Sequence, residues 1–203
     1  MEPTDHNLRA WEEVHRRRAA DAEAELHLPH FVRDQLPPLA GRHVLHLGCG
    51  TGIATADLIE LGGLVTGLDE SAEELEEARE HAPNALFLAA DRHDLPLELR
   101  RGRFDIVYSE GAVVEPEAWA AGVVGALKSG GLLLHRDVHP AARCIDAALR
   151  WREDYFTGGP GVGELVDAIV AAGLTLERLR ELPAQRSRQD PRVPGELLLV
   201  ARK

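Results

Sequence analysis

The chain has 203 residues, 44% of them hydrophobic, and carries 23 Lys and Arg against 34 Asp and Glu, a formal charge of −11. That length suits one domain with a sizeable core, and the negative field repels polyanions, which argues against a nucleic-acid partner. No apolar run approaches the roughly 18–20 residues needed to span a bilayer, Met1–His6 lacks the pattern of a signal peptide, and Cys49 and Cys144 have no metal-ligand spacing; the expectation is a cytoplasmic protein with reduced thiols and no membrane or nucleic-acid partner.

From His6 to about Leu28 the apolar positions Leu8, Trp11, Val14, Ala22 and Leu26 recur at helical intervals, which predicts an amphipathic helix ended by Pro29. A shorter helix is predicted over 31–36, and Pro37, Pro38 and Gly41 make a stiff joint. Residues 1–40 thus read as a helical cap and 41–203 as the ligand-binding unit. A buried strand, 43–47, then empties into Gly48-Cys49-Gly50-Thr51-Gly52 and a helix over 53–61. Glycine permits positive φ and has no Cβ, so alternating glycines at a strand's carboxyl end form a floor that a ligand can approach closely. A GxGxxG dinucleotide turn would need Gly at 53, or Gly or Ala at 55; Ile53 and Thr55 stand there, which disfavours a nicotinamide cofactor.

The next strand, 64–68, leads to Asp69, seventeen residues past Gly52, where a carboxylate can accept both hydroxyls of a ribose. Ser71 and Glu74 have the spacing of a capping box and open a helix over 71–81. Further elements are predicted as strands 85–89 and 104–108, helix 116–127, strand 131–138 after a break at Gly130-Gly131, helix 163–172 capped by Gly173, and strands 174–181 and 195–202. Alternation of this kind implies a parallel sheet covered by helices on both faces.

Through Leu47–Gly52, Val65–Asp69, Ala90-Asp91 and Phe104–Tyr108, the chain from about residue 40 onward resembles the class I S-adenosylmethionine-dependent methyltransferases. The resemblance implies an α/β, Rossmann-like, doubly wound and mostly parallel seven-stranded sheet, its last two strands forming an antiparallel C-terminal edge hairpin. It implies S-adenosylmethionine as cofactor and S-adenosylhomocysteine as product. Gly48, Gly50 and Gly52 would meet the amino-acid end and Asp69 the ribose hydroxyls, with Cys49 and Glu70 in the same cofactor-binding set. Asp91 would accept from the adenine amino group, with Arg92 and His93 flanking the ring; a turn cap is the other reading of Asp91. Ser109 and His46 complete the cofactor set. Most members of the family place an acid at the position of His46, and an imidazole cannot supply that negative charge.

Methyl transfer needs no nucleophilic side chain, since alignment with the sulfonium methyl and exclusion of water are the main tasks. A base helps when the acceptor is a hydroxyl of high pKa or a protonated amine. Two candidates stand at strand tips. His139 is a base oriented by Asp137, or else a packing or capping group; Glu110 faces the acceptor, or else solvent. A metal triad of His135, Asp137 and His139 is disfavoured, because a straight strand at about 3.3 Å per residue holds the two imidazoles roughly 13 Å apart, and no metal is expected. Trp11, His15, His135 and Tyr155 are candidates for the acceptor pocket, with Trp151 and Phe156 nearby, and the short stretch 157–162 leaves little chain for a lid. The expected activity is methyl transfer to an O or N nucleophile of a small molecule, by a monomer or homodimer; the alternative is a cofactor-binding protein of the same fold that is non-catalytic or runs another reaction.

Overall fold

The computed structural model describes residues 27–146, 150–183 and 192–203. Its elements are α1 (His30–Arg33), β1 (His43–Leu47), α2 (Ile53–Glu60), β2 (Leu64–Asp69), α3 (Ala72–His81), β3 (Leu86–Ala89), β4 (Phe104–Glu110), α4 (Pro116–Ala126), β5 (Leu127–Val138), α5 (Pro140–Arg143), α6 (Val162–Ala171), β6 (Thr175–Pro183) and β7 (Pro194–Arg202). The seven strands form one sheet in the order β3-β2-β1-β4-β5-β7-β6. β1 to β5 run parallel and β7 is antiparallel to both β5 and β6, so the edge hairpin expected at the C-terminus is present.

Both faces of the sheet are covered. Leu45, Leu47, Val107, Leu133, Leu197 and Leu199 point to one face, where they pack with Trp119, Val123, Leu165 and Ile169 of α4 and α6. Val44, Ile106, Tyr108, Leu134, Leu198 and Val200 point to the other, under Leu58 of α2 and the segment of Leu28, Phe31 and Val32. Strands buried on both sides carry apolar residues at nearly every position, as β1 does with four of its five residues buried. The outer strand β6 is instead mostly exposed and carries Glu177, Arg178, Arg180 and Glu181, charges that discourage pairing with another sheet.

Two sequence expectations need correction, and one turn has no counterpart among them. The helix predicted over 31–36 is a single turn, His30–Arg33, one residue earlier, because Pro37 and Pro38 forbid continuation. Gly130-Gly131 does not precede β5 but lies within it; Gly130, at φ 76, and a register shift between Phe104 and Ile106 absorb the irregularity. The turn α5 was not predicted, although His139-Pro140 is a cap followed by proline at the first helical position. The long helix expected from His6 falls, up to residue 26, outside the described residues, as do Trp11 and His15.

Candidate functional site

The strand order reverses between β1 and β4, so their carboxyl ends frame a crevice, the place where open α/β sheets bind ligands. Gly48, Gly50 and Gly52 line its floor, all at positive φ. At Gly48 the lack of a side chain is decisive: a Cβ would stand 2.4 Å from the Glu110 carbonyl oxygen and 2.5 Å from the Arg92 guanidinium. At Gly52 it would strike Ala78 of α3 at 2.8 Å. The first glycine keeps the crevice open and the last lets α3 dock on the turn, where His81 donates from Nδ1 to the Thr51 carbonyl at 2.7 Å.

Asp69 organises the turn from the tip of β2. Its Oδ2 accepts the Gly50 N–H at 2.9 Å and its Oδ1 accepts the Ser71 N–H at 3.0 Å. Ser71 caps α3 by accepting the Glu74 N–H at 3.2 Å, but the reciprocal half of the capping box is absent, since Asp69 already holds the Ser71 N–H. Glu74 is thereby released to the crevice, its Oε2 3.3 Å from where a Gly50 Cβ would stand. Burial, then repulsion from Asp69 and Glu77, pushes the Glu74 carboxyl upward. Glu74 was missed in the sequence because its spacing from Ser71 had a sufficient local explanation.

Asp91 is exposed and serves as a turn cap, accepting from the His93 backbone at 2.7 Å and from His93 Nδ1 at 2.9 Å; the backbone bond first, with the ring's help, holds its carboxyl low. His93 Nε2 in turn accepts the Val114 N–H at 3.2 Å, which ties the loop after β3 to the loop after β4. Asp91, His93 and the exposed Glu70 place ligand atoms within 4.8 Å of one another. Arg92 projects between these ties and donates to the Glu110 carbonyl at 2.5 Å.

A polar seam crosses the carboxyl ends of the central strands on the face shared with Tyr108. His46, wholly buried, has Nδ1 2.8 Å from the Thr55 hydroxyl and Nε2 3.7 Å from Glu110 Oε2, too far for a hydrogen bond. Glu110 also pairs with Arg136, whose Nε reaches Glu196 at 3.1 Å. Burial works to raise the Glu110 carboxyl, yet the His46 ring and the Arg136 charge outweigh it and hold it below its ordinary value. His46 Nε2 and the Tyr108 hydroxyl are both buried without a hydrogen-bond partner. Arg136 and Glu196 had no sequence signal, because only the pairing of β4, β5 and β7 brings them to Glu110.

Several expected site residues are engaged in contacts of their own. Ser109 and His135 are fully buried beneath α4, where the Ser109 hydroxyl accepts the Trp119 Nε1–H at 3.2 Å and lies 3.3 Å from His135 Nδ1. Neither side chain is exposed. His139 accepts the Ala141 N–H on Nδ1 at 3.1 Å and donates from Nε2 to Glu181 at 2.8 Å, so both ring nitrogens are engaged in capping α5 and linking it to β6. Asp137 pairs with Arg143 instead of orienting His139. The Tyr155 hydroxyl lies 3.4 Å from the Val162 backbone nitrogen at the start of α6. Burial first, then the Asp69 charge, pushes the Cys49 thiol up to about 12, so Cys49 offers the crevice its backbone and no thiolate. A separate cleft of about 320 Å³, bordered by Arg42, Asp105, Glu177, Arg178 and Arg202, opens at the opposite ends of the strands, away from the glycine turn.

Residues 44–131 match the model of a methyltransferase domain. The chain is similar to an uncharacterized methyltransferase of Synechocystis, at 36% identity over 104 residues, covering 49% of this chain and 48% of that one. It is similar to a ubiquinone biosynthesis O-methyltransferase of Methylobacterium nodulans, at 31% identity over 166 residues, 72% of this chain and 66% of that one. The chain thus spans less than two thirds of the length of these relatives. Among solved structures, an S-adenosylmethionine-dependent methyltransferase from Mesorhizobium loti superposes with a TM-score of 0.69 at 27% identity, over 84% of this chain and 95% of that one.

Proposed function

From the chain's membership of the S-adenosylmethionine-dependent methyltransferases, whose cofactor is S-adenosylmethionine, we propose that it transfers the methyl group of that cofactor to an O or N nucleophile of a small molecule. The observation that carries this reading is the bare backbone of Gly48 at the strand-order reversal, with the Asp69 carboxylate beside it. The chemistry of the crevice fits the cofactor. Its ammonium and sulfonium groups are cationic, and Asp69 and Glu74 border the turn, with Glu110 beside Gly48 and Glu70 and Asp91 grouped with His93. A cation among them relieves the repulsion that raises Glu74. Asp69 retains lone pairs for ribose hydroxyls after accepting its two backbone bonds.

The cofactor supplies an activated methyl on a sulfonium leaving group. What the protein supplies is alignment and charge. Glu110, held ionised by Arg136 and His46, is a weak base and acts as a fixed negative group near the cationic end of the cofactor. This sets a carboxylate beside His46, the position where the family usually has an acid. With both nitrogens of His139 engaged, the reaction favours acceptors that need little help in losing a proton, such as phenols or neutral amines. The similarity to a ubiquinone biosynthesis O-methyltransferase supports a small acceptor, and the charge of −11 supports it against a nucleic acid.

The test is to incubate the protein with S-adenosylmethionine and panels of phenols, amines and carboxylates, reading S-adenosylhomocysteine. Turnover with at least one phenol or amine is expected, reduced about tenfold or more in Glu110→Gln through the loss of a fixed charge. Cofactor binding without turnover on any panel would identify the protein as a non-transferring binder.

A further inference from the structure

Arg92 occupies the floor that the glycines keep clear. Its two terminal nitrogens lie 2.5 and 2.7 Å from where a Gly48 Cβ would stand, and Nη1 donates to the Glu110 carbonyl at 2.5 Å. The same nitrogen is 3.5 Å from where a Gly111 Cβ would stand. A guanidinium therefore fills the mouth between the carboxyl ends of β1 and β4. The loop carrying it is pinned on both sides: Asp91 and His93 bond to each other, and His93 bonds to Val114. The backbone is held, and the Arg92 side chain is half-buried and hydrogen-bonded at its tip to the Glu110 carbonyl.

The amino-acid end of S-adenosylmethionine carries an ammonium group, and an ammonium and a guanidinium seek the same partner, a carbonyl oxygen over open backbone. We propose that Arg92 is an internal stand-in for the cofactor's ammonium, seated on the Glu110 carbonyl above Gly48, and that the cofactor must displace it. Arg92 thus sets cofactor affinity by competition instead of by contact. The exposed carboxylates of Asp91 and Glu70 offer the displaced guanidinium a place to settle. The inference rests on the cofactor's place in the crevice and not on the choice of acceptor, so binding measurements alone decide it.

Calorimetry on Arg92→Gln and the wild-type protein separates the possibilities, with S-adenosylhomocysteine, which has the amino-acid end, and methylthioadenosine, which lacks its ammonium and carboxylate. Removing a charge-assisted hydrogen bond that the ligand must break predicts about tenfold tighter S-adenosylhomocysteine binding and methylthioadenosine binding unchanged within about twofold. Arg92→Lys, which keeps the charge with a smaller reach, should give the lesser gain. Weaker or unchanged binding of S-adenosylhomocysteine to Arg92→Gln overturns the proposal, the first outcome making Arg92 a ligand contact. An equal change for both ligands also overturns it, since that places Arg92 against the adenosine. The methyl-transfer proposal fails separately, by lack of turnover in a protein that still binds cofactor.

Discussion

A histidine's behaviour depends on what surrounds its two nitrogens, and this chain buries three with different outcomes. His46 is sealed between Thr55 and Glu110, His139 is bonded on both sides, and His135 is buried with Nε2 unpartnered beside Trp119. Burial is the largest influence on His135 and, against the opposing pull of Asp137, lowers its pKa to about 4. The ring is therefore neutral in the folded protein at pH 7, whereas it would take up a proton near pH 6.5 when unfolded. The unfolded state binds more protons between those values, so stability falls as pH drops through that window. Between pH 7 and pH 4.5 the wild-type protein should lose about 2 kcal/mol more than His135→Asn. Urea denaturation at the two pH values checks this, and equal losses would mean that the ring is protonated in the folded state.

At the scale of elements, the site depends on how neighbouring segments are fastened to the glycine turn. α3 is held to it at Gly52 and His81, and α2, which follows the turn directly, holds the segment leading from residue 27 into α1. The fastener is Asp57 of α2, buried and accepting the Leu28 N–H at 2.7 Å, with His27 at 3.1 Å and Arg33 at 3.4 Å. Removing a buried acceptor strands the groups that faced it, and Asp57→Ala should cost about 2–3 kcal/mol in denaturant unfolding. The mutation should also speed proteolytic cleavage before α1 while the sheet survives. Unaltered cleavage would show that Leu28, Phe31 and Val32 hold this segment by apolar packing alone.

For the whole molecule, the conspicuous property is the contrast between an apolar sheet interior and the carboxylates at the carboxyl ends of its central strands. The tips of β2 and β4 carry Asp69 and Glu110, while the layers between strands and helices are filled by leucine, valine, isoleucine and Trp119. A ligand that binds there and not to the unfolded chain stabilises every element at once. S-adenosylhomocysteine at about one hundred times its Kd should add about 2.7 kcal/mol, which for a chain of this size raises the melting temperature by about 5–10 °C. A thermal scan showing no shift at saturating concentration would contradict the assignment of the crevice to this cofactor.

Amino-acid order alone determined the alternation of strands and helices, the glycine turn and the acid at Asp69, because each is written in neighbouring residues: apolar runs for buried strands, absent side chains for the floor, a carboxylate at a strand tip. The capping box was half legible, since Ser71 caps as its position implies but the fate of Glu74 depends on Asp69 across the turn. Tertiary structure decided the rest. Glu110 meets His46 and Arg136, and Arg136 meets Glu196, only because β1, β4, β5 and β7 pair in one register, and Arg92 reaches Gly48 only across the crevice between strand ends. Spacing along the chain could place His135 and His139 at the tip of β5, but not say that one would be buried under α4 and the other spent on α5 and β6. A hydrogen bond is satisfied by whatever lies within about 3 Å, and for groups far apart in the chain that is settled by packing.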